Sequence, residues 1–600
     1  MKTLFFPCLL LSSTTAAADQ KPNFIFIFMD DLGYGDVGFN GHPTTKTPNL
    51  DQLAFGGKIL TSWYSGCNVC TGSRTSLMTG RQFPRTGMPG VLPSTVNFGL
   101  PLNETTIAEQ LKVSAGYATG MVGKWHLGQR EIYLPGNRGF DYYLGIPYSD
   151  DMGDGVESSC SAEQQEEGKE AEMSWSDVDT FSSEEMYRAG GFFEALMTEG
   201  VDPLETNDDD LGGKWLPLVY QAPNQPTRIL EQPLEFTTLA QKYNAFALKF
   251  VEEHKDQPFF LYMPLSHVHT TSNTAELQYS GCNFKGTTKR GRFGDALAES
   301  DWIVGNVMQK LKDLNLEEDT LVLFTSDNGP WMIRGLSAGS HGLFTGRYAG
   351  YWNTGKGSNW EGGIRMPAFA YWKGKIAPMS RSAEIVSSMD VFPTLSALAD
   401  IPLPTNRVYD GLDMSNVLLG KNGGKSDHDF LFFYGYCSGE PYWTISSVRH
   451  GKYKAHWCTM PGLGLGHIKG ENITQYDPPL LFNIDKDPSE AYPISFNEMP
   501  TQPEDAAAMQ RILKAYAMEK ATFEYGRITP EPDQPGEGPG KYGVCCDRSN
   551  DCHCNNNEEK DILGIFNLGT KEHHDRYHKI LGEKEPMPPR TRAQKRLQNS

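Results

Sequence analysis

The chain contains no uninterrupted apolar run of about 18 residues, so nothing in its 600 residues reads as a membrane-spanning helix. Positive charge is also scarce. With 54 Lys+Arg against 74 Asp+Glu, the net charge of −20 argues against nonspecific binding to nucleic acid or anionic membranes. No internal repeat stands out. Disorder of the whole chain is excluded by 38% hydrophobic and 11% aromatic residues, while 62 Gly and 38 Pro point to a large, loop-rich core. The length alone suggests about four units of about 150 residues each, a rule that large α/β domains often break.

The shortage of positive charge is local. Residues 150–210 hold twenty Asp/Glu against only Lys169 and Arg188, a net −18, which leaves −2 for all the rest. The chain is a nearly neutral protein carrying one acidic insertion, expected as a long loop just after Ser149. Such an insertion is expected to disfavour highly charged polyanions, or to need cations to admit them.

The N-terminus reads as a secretory signal: Lys2, an apolar run from Leu4 to Leu11 interrupted by Pro7, then Ala16-Ala17-Ala18. Cleavage is expected after Ala18. Eleven cysteines fit an oxidising compartment, secreted, lysosomal or periplasmic, and Cys8 leaves with the signal. Cys545, Cys546, Cys552 and Cys554 read as disulfide staples in preference to a zinc site. Asn103 and Asn472 begin N-x-T sequons and are candidate glycosylation sites.

Several β-prone apolar runs stop abruptly at polar residues. Phe24–Met29 ends at Asp30-Asp31, Leu321–Phe324 leads to Asp327-Asn328-Gly329, Phe259–Met263 precedes His267 and His269, and Tyr117–Val122 delivers Lys124-Trp125-His126. Continuous apolar runs suit strands buried on both faces. After Asp295, the 3- and 4-residue spacing of Leu297, Val304, Val307, Met308, Leu311 and Leu314 predicts a helix, completing a strand–helix–strand crossover. Ligands of open α/β sheets bind beyond the carboxyl ends of the strands, so four such endings point to one polar site at one sheet edge. The expected fold is α/β, a large mixed and mostly parallel central sheet flanked by helices, with a smaller antiparallel sheet beyond residue 405. The expected division is a signal at 1–18, a catalytic domain at 19–404, a C-terminal subdomain with the Cys-rich segment at 405–585 and a basic disordered tail at 586–600.

Asp30, Asp31, Asp327 and Asn328 gather three carboxylates and an amide oxygen, a set that calls for a divalent cation, Ca²⁺ or Mg²⁺ before zinc. Lys124, His126, His269 and Lys356 add positive charge and proton donors, which suits an anionic ester substrate. The segment Cys70-Thr71-Gly72-Ser73-Arg74 reads as a loop entering a helix, with Thr71 or Ser73 as its cap and Cys70 where backbone N–H groups favour an anion. Cys67 and Cys70 also form C-x-x-C, but no thioredoxin-like context surrounds them.

CTGSR-TSLMTGR resembles the type I sulfatase signature C-x-P-S-R followed by x-x-L-x-T-G-R, in the arylsulfatase A-like branch of the alkaline phosphatase superfamily. Gly123–Gly128, Tyr262–His269, Gly294–Leu297, Asp327–Gly329, Gly355–Gly357, Glu361–Pro367 and Leu481–Glu490 extend the resemblance over about residues 22 to 490. It implies a sulfuric ester hydrolase in which a formylglycine-generating enzyme oxidises Cys70 to formylglycine. One hydroxyl of the hydrated aldehyde, beside Ca²⁺ (Mg²⁺ second) and Asp327, attacks sulfur, and the other then expels sulfate. Cys70 thereby joins Asp30, Asp31, Asp327 and Asn328 around the metal.

The resemblance further implies that Lys124 and Lys356 bind sulfate, His269 protonates the leaving oxygen, Arg74 and His126 hold the diol with His126 as base, and Ser149 lines the substrate site. His267 and Arg365 are expected to be structural. The implied substrate is a sulfated small molecule, carbohydrate or lipid. Gly72 departs from the family's usual Pro, which bears on the conversion of Cys70. Alternatives are a phosphate or phosphonate ester hydrolase of the same superfamily and a non-catalytic matrix or glycan-binding protein with an unmodified Cys70.

Overall fold

A computed structural model describes residues 21–160, 215–272, 277–437, 443–464, 473–496, 498–532 and 543–554. The expected signal, most of the acidic insertion, Asn472 and the basic tail lie outside the described residues.

A ten-stranded sheet runs through the main body in the order Ser380–Ser382, Lys58–Leu60, Phe369–Tyr371, Thr320–Ser326, Asn23–Met29, Phe259–Pro264, Ala118–Val122, Tyr142–Gly145, Leu218–Gln221 and Arg228–Glu231. Its middle, from Thr320–Ser326 to Tyr142–Gly145, is parallel throughout. Every residue of Asn23–Met29 is buried, because neighbours cover both of its faces: Ile25, Ile27 and Met29 meet one apolar cluster, and Phe24, Phe26 and Phe28 the other. The periodic segment after Asp295 belongs to the helix Gly291–Asp313, which packs with Leu239–Glu253 on one side of the sheet. Antiparallel strands extend the parallel core at both sides. The register Phe24↔Leu321 and Phe24↔Phe260 brings the ends of three apolar runs level with one another.

A separate four-stranded antiparallel sheet, Leu431–Tyr436, Trp443–His450, Tyr453–Thr459 and Thr474–Asn483, forms the C-terminal layer and packs against the helix Pro503–Thr522. Eight cysteines pair as Cys160–Cys282, Cys437–Cys458, Cys545–Cys552 and Cys546–Cys554. The last two form a knot that returns to the edge of the main sheet. Gln232 accepts from the backbone N–H of Cys546 and Cys554 and donates from Nε2 to Val544 O, while His553 meets the Trp215 ring.

A buried carboxylate joins two of the helices. Asp301, within Gly291–Asp313, accepts from the backbone N–H of Asn49 and Leu50 and from Asn49 Nδ2, so it satisfies free donors in the first turn of Pro48–Gly56. Asp301→Ala leaves those donors unpaired and is expected to cost about 1–3 kcal/mol. A denaturant midpoint unchanged from wild type would contradict this role.

Candidate active site

The ends of the parallel strands and one short helix build the site. Asp30 and Asp31 follow Asn23–Met29, Asp327 and Asn328 follow Thr320–Ser326, Lys124 and His126 follow Ala118–Val122, and His269 follows Phe259–Pro264. All seven are buried. The helix Cys70–Thr79, buried along its whole length, begins with Cys70 itself. Neither Thr71 nor Ser73 caps it, contrary to expectation: Val69 is the N-cap, and the Thr71 hydroxyl instead accepts from Leu92 N at 3.0 Å. The helix start is held from the neighbouring loop, where Gly90 O accepts from Gly72 N. Cys70 Sγ lies 3.9 Å from Asp30 Oδ1.

Three buried cations neutralise the carboxylates. Arg74 Nη2 bridges Asp327 Oδ2 at 2.9 Å and Asp30 Oδ2 at 3.2 Å, while its Nη1 donates to Lys124 O. Lys124 Nζ meets Asp30 Oδ2 at 2.6 Å and donates to Ser149 Oγ at 2.9 Å. Lys356 Nζ meets Asp31 at 2.8 Å and His269 Nε2 at 3.0 Å. Burial alone would lift Asp30, but Lys124 and Arg74 outweigh it and hold the carboxyl well below its ordinary value. Burial and the adjacent Asp30 charge push Asp327 up to about 7. Neighbouring carboxylates driven apart in this way mark a place where a further cation is favoured.

One ligand atom each from Asp30, Asp31, Cys70 and His269 lie within 4.8 Å of one another, a group able to hold a metal ion. Asp327 and Asn328 adjoin it. Asp327 Oδ1 accepts from the backbone N–H of Asp31 and Asn328, and Asn328 Nδ2 donates to Asp31 Oδ1 at 2.7 Å. That bond leaves Asn328 Oδ1 buried with no hydrogen-bond donor, an orphaned acceptor that suits a hard cation.

The two histidines differ. His126 is held well below the ordinary imidazole value by burial and by Lys124 and Arg74, so it is neutral. Its Nε2–H donates to Leu92 O at 2.9 Å, which leaves the Nδ1 lone pair without a partner. Burial and Lys356 oppose a charge on His269, but Asp31 and Asp151 outweigh them and raise it well above the usual range.

All the site residues expected around the metal and sulfate therefore converge, with Ser149 among them. His267 turns away to Glu299 and Arg365 to Glu361, both structural as expected. The expected position of the acidic insertion is corrected at its start. Asp150 belongs to the site, wholly buried with Oδ1 at 3.2 Å from His269 Nδ1, and residues 154–160 are fastened by bridges to Trp215 and Glu235 and by Cys160–Cys282. A run of acidic residues reads as a solvated loop, and nothing local separates Asp150 from the others.

The chain matches the Sulfatase family model over residues 22–401 and the model for the C-terminal region of aryl-sulfatase over residues 426–554. It belongs to the sulfatase family. Human Arylsulfatase A (Homo sapiens) is 38% identical to this sulfatase, covering 91% of this chain and 98% of its own length. Dog Arylsulfatase G (Canis lupus familiaris) is 36% identical, covering 79% of this chain and 81% of its own. The solved PsFucS1 sulfatase from Pseudoalteromonas sp. superposes with a TM-score of 0.63 at 27% identity, covering 85% of this chain and 92% of the other. This sulfatase is a sulfuric ester hydrolase of the arylsulfatase type, and no described helix is long and apolar enough to cross a membrane. Neither the phosphate-ester nor the non-catalytic alternative is favoured.

The sulfatase's Gly72 has a packing reason. A Cβ there would lie 2.6 Å from Cys67 Sγ, 2.9 Å from Cys67 Cβ and 3.2 Å from the Phe83 ring. Cys67 and Cys70 are both free, and burial pushes the Cys67 thiol up to about 12, so Cys67 acts as an inert filler in the space beside Gly72. Gly72→Ala is expected to cost about 1–3 kcal/mol by overpacking. A Cys67→Gly background should recover most of that loss in unfolding experiments, and equal penalties in the two backgrounds would exclude the contact as its cause.

Proposed function

We propose that this sulfatase hydrolyses its esters with formylglycine made from Cys70 and a calcium ion held by Asp30, Asp31, Asp327 and Asn328, with Mg²⁺ as the lesser candidate. The observation that carries the proposal is Cys70 at the first turn of a buried helix, 3.9 Å from Asp30, clustered with His269 and in the field of Lys124 and Lys356. When present, the hydrated aldehyde supplies an oxygen nucleophile and the divalent cation supplies charge for it and for the sulfate oxygens.

The protein's own residues do the rest. Lys124 and Lys356 take the sulfate oxygens, two fixed ammonium groups in a water-poor site where such contacts act strongly. Once Lys356 turns from it to the sulfate, His269 holds a proton at Nε2 for the departing alcohol oxygen, while its Nδ1–H donates to Thr270 O and fixes the ring, with Asp150 Oδ1 3.2 Å away. His126, whose Nε2 proton is committed to Leu92 O, presents Nδ1 as the base. Arg74 keeps Asp30 and Asp327 in place, and Ser149 orients Lys124.

Charge balance supports the cation. Buried Asp30, Asp31, Asp327 and Asp150 are matched by Arg74, Lys124, Lys356 and protonated His269, so the anionic ester itself tips the site negative and calls for a further cation. The proposed substrate is a sulfated small molecule, carbohydrate or lipid, and the proposed compartment is secretory or lysosomal, in keeping with eight paired cysteines and the signal-like N-terminus. Asn103 is exposed and free to carry a glycan. A formylglycine-generating enzyme is the proposed maturation partner.

Mass spectrometry of the peptide spanning Cys70, in protein from its natural secretory route, should reveal an aldehyde that reacts with hydrazides. Cys70→Ala should lower kcat/KM on an aryl sulfate by on the order of 10⁴-fold or more. Full turnover by protein with an unmodified thiol, or faster turnover of aryl phosphate than of aryl sulfate, would refute the mechanism.

A further inference from the structure

One aromatic side chain beside the site carries two cations, and the proposed mechanism uses only one of them. Trp331 follows Asp327-Asn328-Gly329-Pro330, and its indole N–H donates to Leu463 O at 3.0 Å, which fixes the ring. The ring centroid lies 5.7 Å from that of His269 and 4.7 Å from Lys356 Nζ. Arg334 stacks on the same ring with Cζ 3.8 Å from its centroid. A guanidinium is thereby held on the same indole that Lys356 and His269 meet, at the start of a segment that runs through the exposed Leu336.

Stacking explains where Arg334 sits but not what its N–H groups are for. Its Nε is buried with no hydrogen-bond partner, and the nearest carboxylate to Nη2, Asp151 Oδ2, is 4.0 Å away, too far for a hydrogen bond. Burial lowers the guanidinium from its ordinary value against the pull of Asp151 and Asp31. A half-buried arginine with unused donors in a fixed fork is short of one planar anion. Asp151 fills that role only in part: it pairs with Arg334 at 4.0 Å while lying in the field of His269, Lys356 and Lys124 and bonding Ser149.

We propose that Arg334, mounted on Trp331, forms a subsite for a second anionic group on the ring that bears the scissile sulfate. The inference rests on the proposed binding of that sulfate by Lys124 and Lys356. Both cations contact one indole, which keeps them no more than about 8.5 Å apart, a span that one doubly substituted ring can cover with its sulfate on Lys356 and a second carboxylate or sulfate on Arg334. This sulfatase therefore prefers sulfate esters with one further anionic substituent on the same ring over otherwise identical neutral ones.

Non-hydrolysable sulfonates separate the subsite from turnover. By calorimetry, wild-type protein should bind 3-sulfobenzoate about tenfold or more tighter than 3-sulfobenzamide, its neutral isostere. In Arg334→Gln the ratio should fall to within about twofold, and Arg334→Lys should keep only part of the preference because the fork is lost. The ratio is internal to each protein, so a partly misfolded variant still reports it. Equal binding of the two sulfonates by wild type, no binding of either, or an unchanged preference in Arg334→Gln overturns the subsite. Equal binding by protein that hydrolyses aryl sulfate overturns the subsite alone, whereas a clear preference in protein that hydrolyses none overturns the mechanism and leaves the subsite standing.

Discussion

The guanidinium of Arg74 is the joint on which the site depends. It rises from the helix that begins at Cys70 and ties together the ends of three parallel strands, through Asp30, Asp327 and the carbonyl of Lys124, with the Phe28 ring 5.5 Å away. Every member of this joint is buried. Removing one partner of a buried ionic cluster leaves an uncompensated charge, at a cost of about 3–5 kcal/mol. The sheet positions the carboxylates and Arg74 fixes the reactive helix to them, so fold and site are held by the same bonds.

Around that joint the charges are arranged for an anion that carries a leaving group. Lys124 and Lys356 rest on Asp30 and Asp31, and a divalent cation taken up by those carboxylates would free both ammonium groups to face sulfate oxygens. The two histidines occupy opposite states: His126 is neutral with one open lone pair, and His269 is held in a carboxylate-rich corner that favours its proton. Arg334 extends the same logic outward, from recognition of the sulfate to recognition of what stands beside it.

Most of this was legible in the sequence, for a physical reason. Strands buried on both faces appear as unbroken apolar runs, and a polar residue ending such a run has to lie at the sheet's carboxyl edge; Asp30, Lys124, His269 and Asp327 were all readable in this way. The helix at Gly291–Asp313 was legible from its period, and the disulfides among the last four cysteines from the signal-like N-terminus, though not their pairing. The residues that stayed hidden take their environment from distant segments. Asp150 looked like one acid among twenty until the fold buried it against His269. Thr71 reads as a helix cap in the sequence, but its hydroxyl is claimed by Leu92 N. The fit of Gly72 against Cys67 depends on side chains meeting across a turn, and Arg334 acquires its meaning only once Trp331 is seen to contact both it and Lys356.

The central claim is that a bound cation and the sulfate pocket act as one electrostatic unit. Linkage makes it measurable, since two ligands that favour the same arrangement must tighten one another. Sulfate should be titrated into metal-stripped protein with and without saturating Ca²⁺, with Asn328→Ala as the comparison. Ca²⁺ should strengthen sulfate binding by at least about fivefold, and Asn328→Ala should remove most of the gain. Sulfate affinity that is indifferent to Ca²⁺, or weakened by it, would contradict the account.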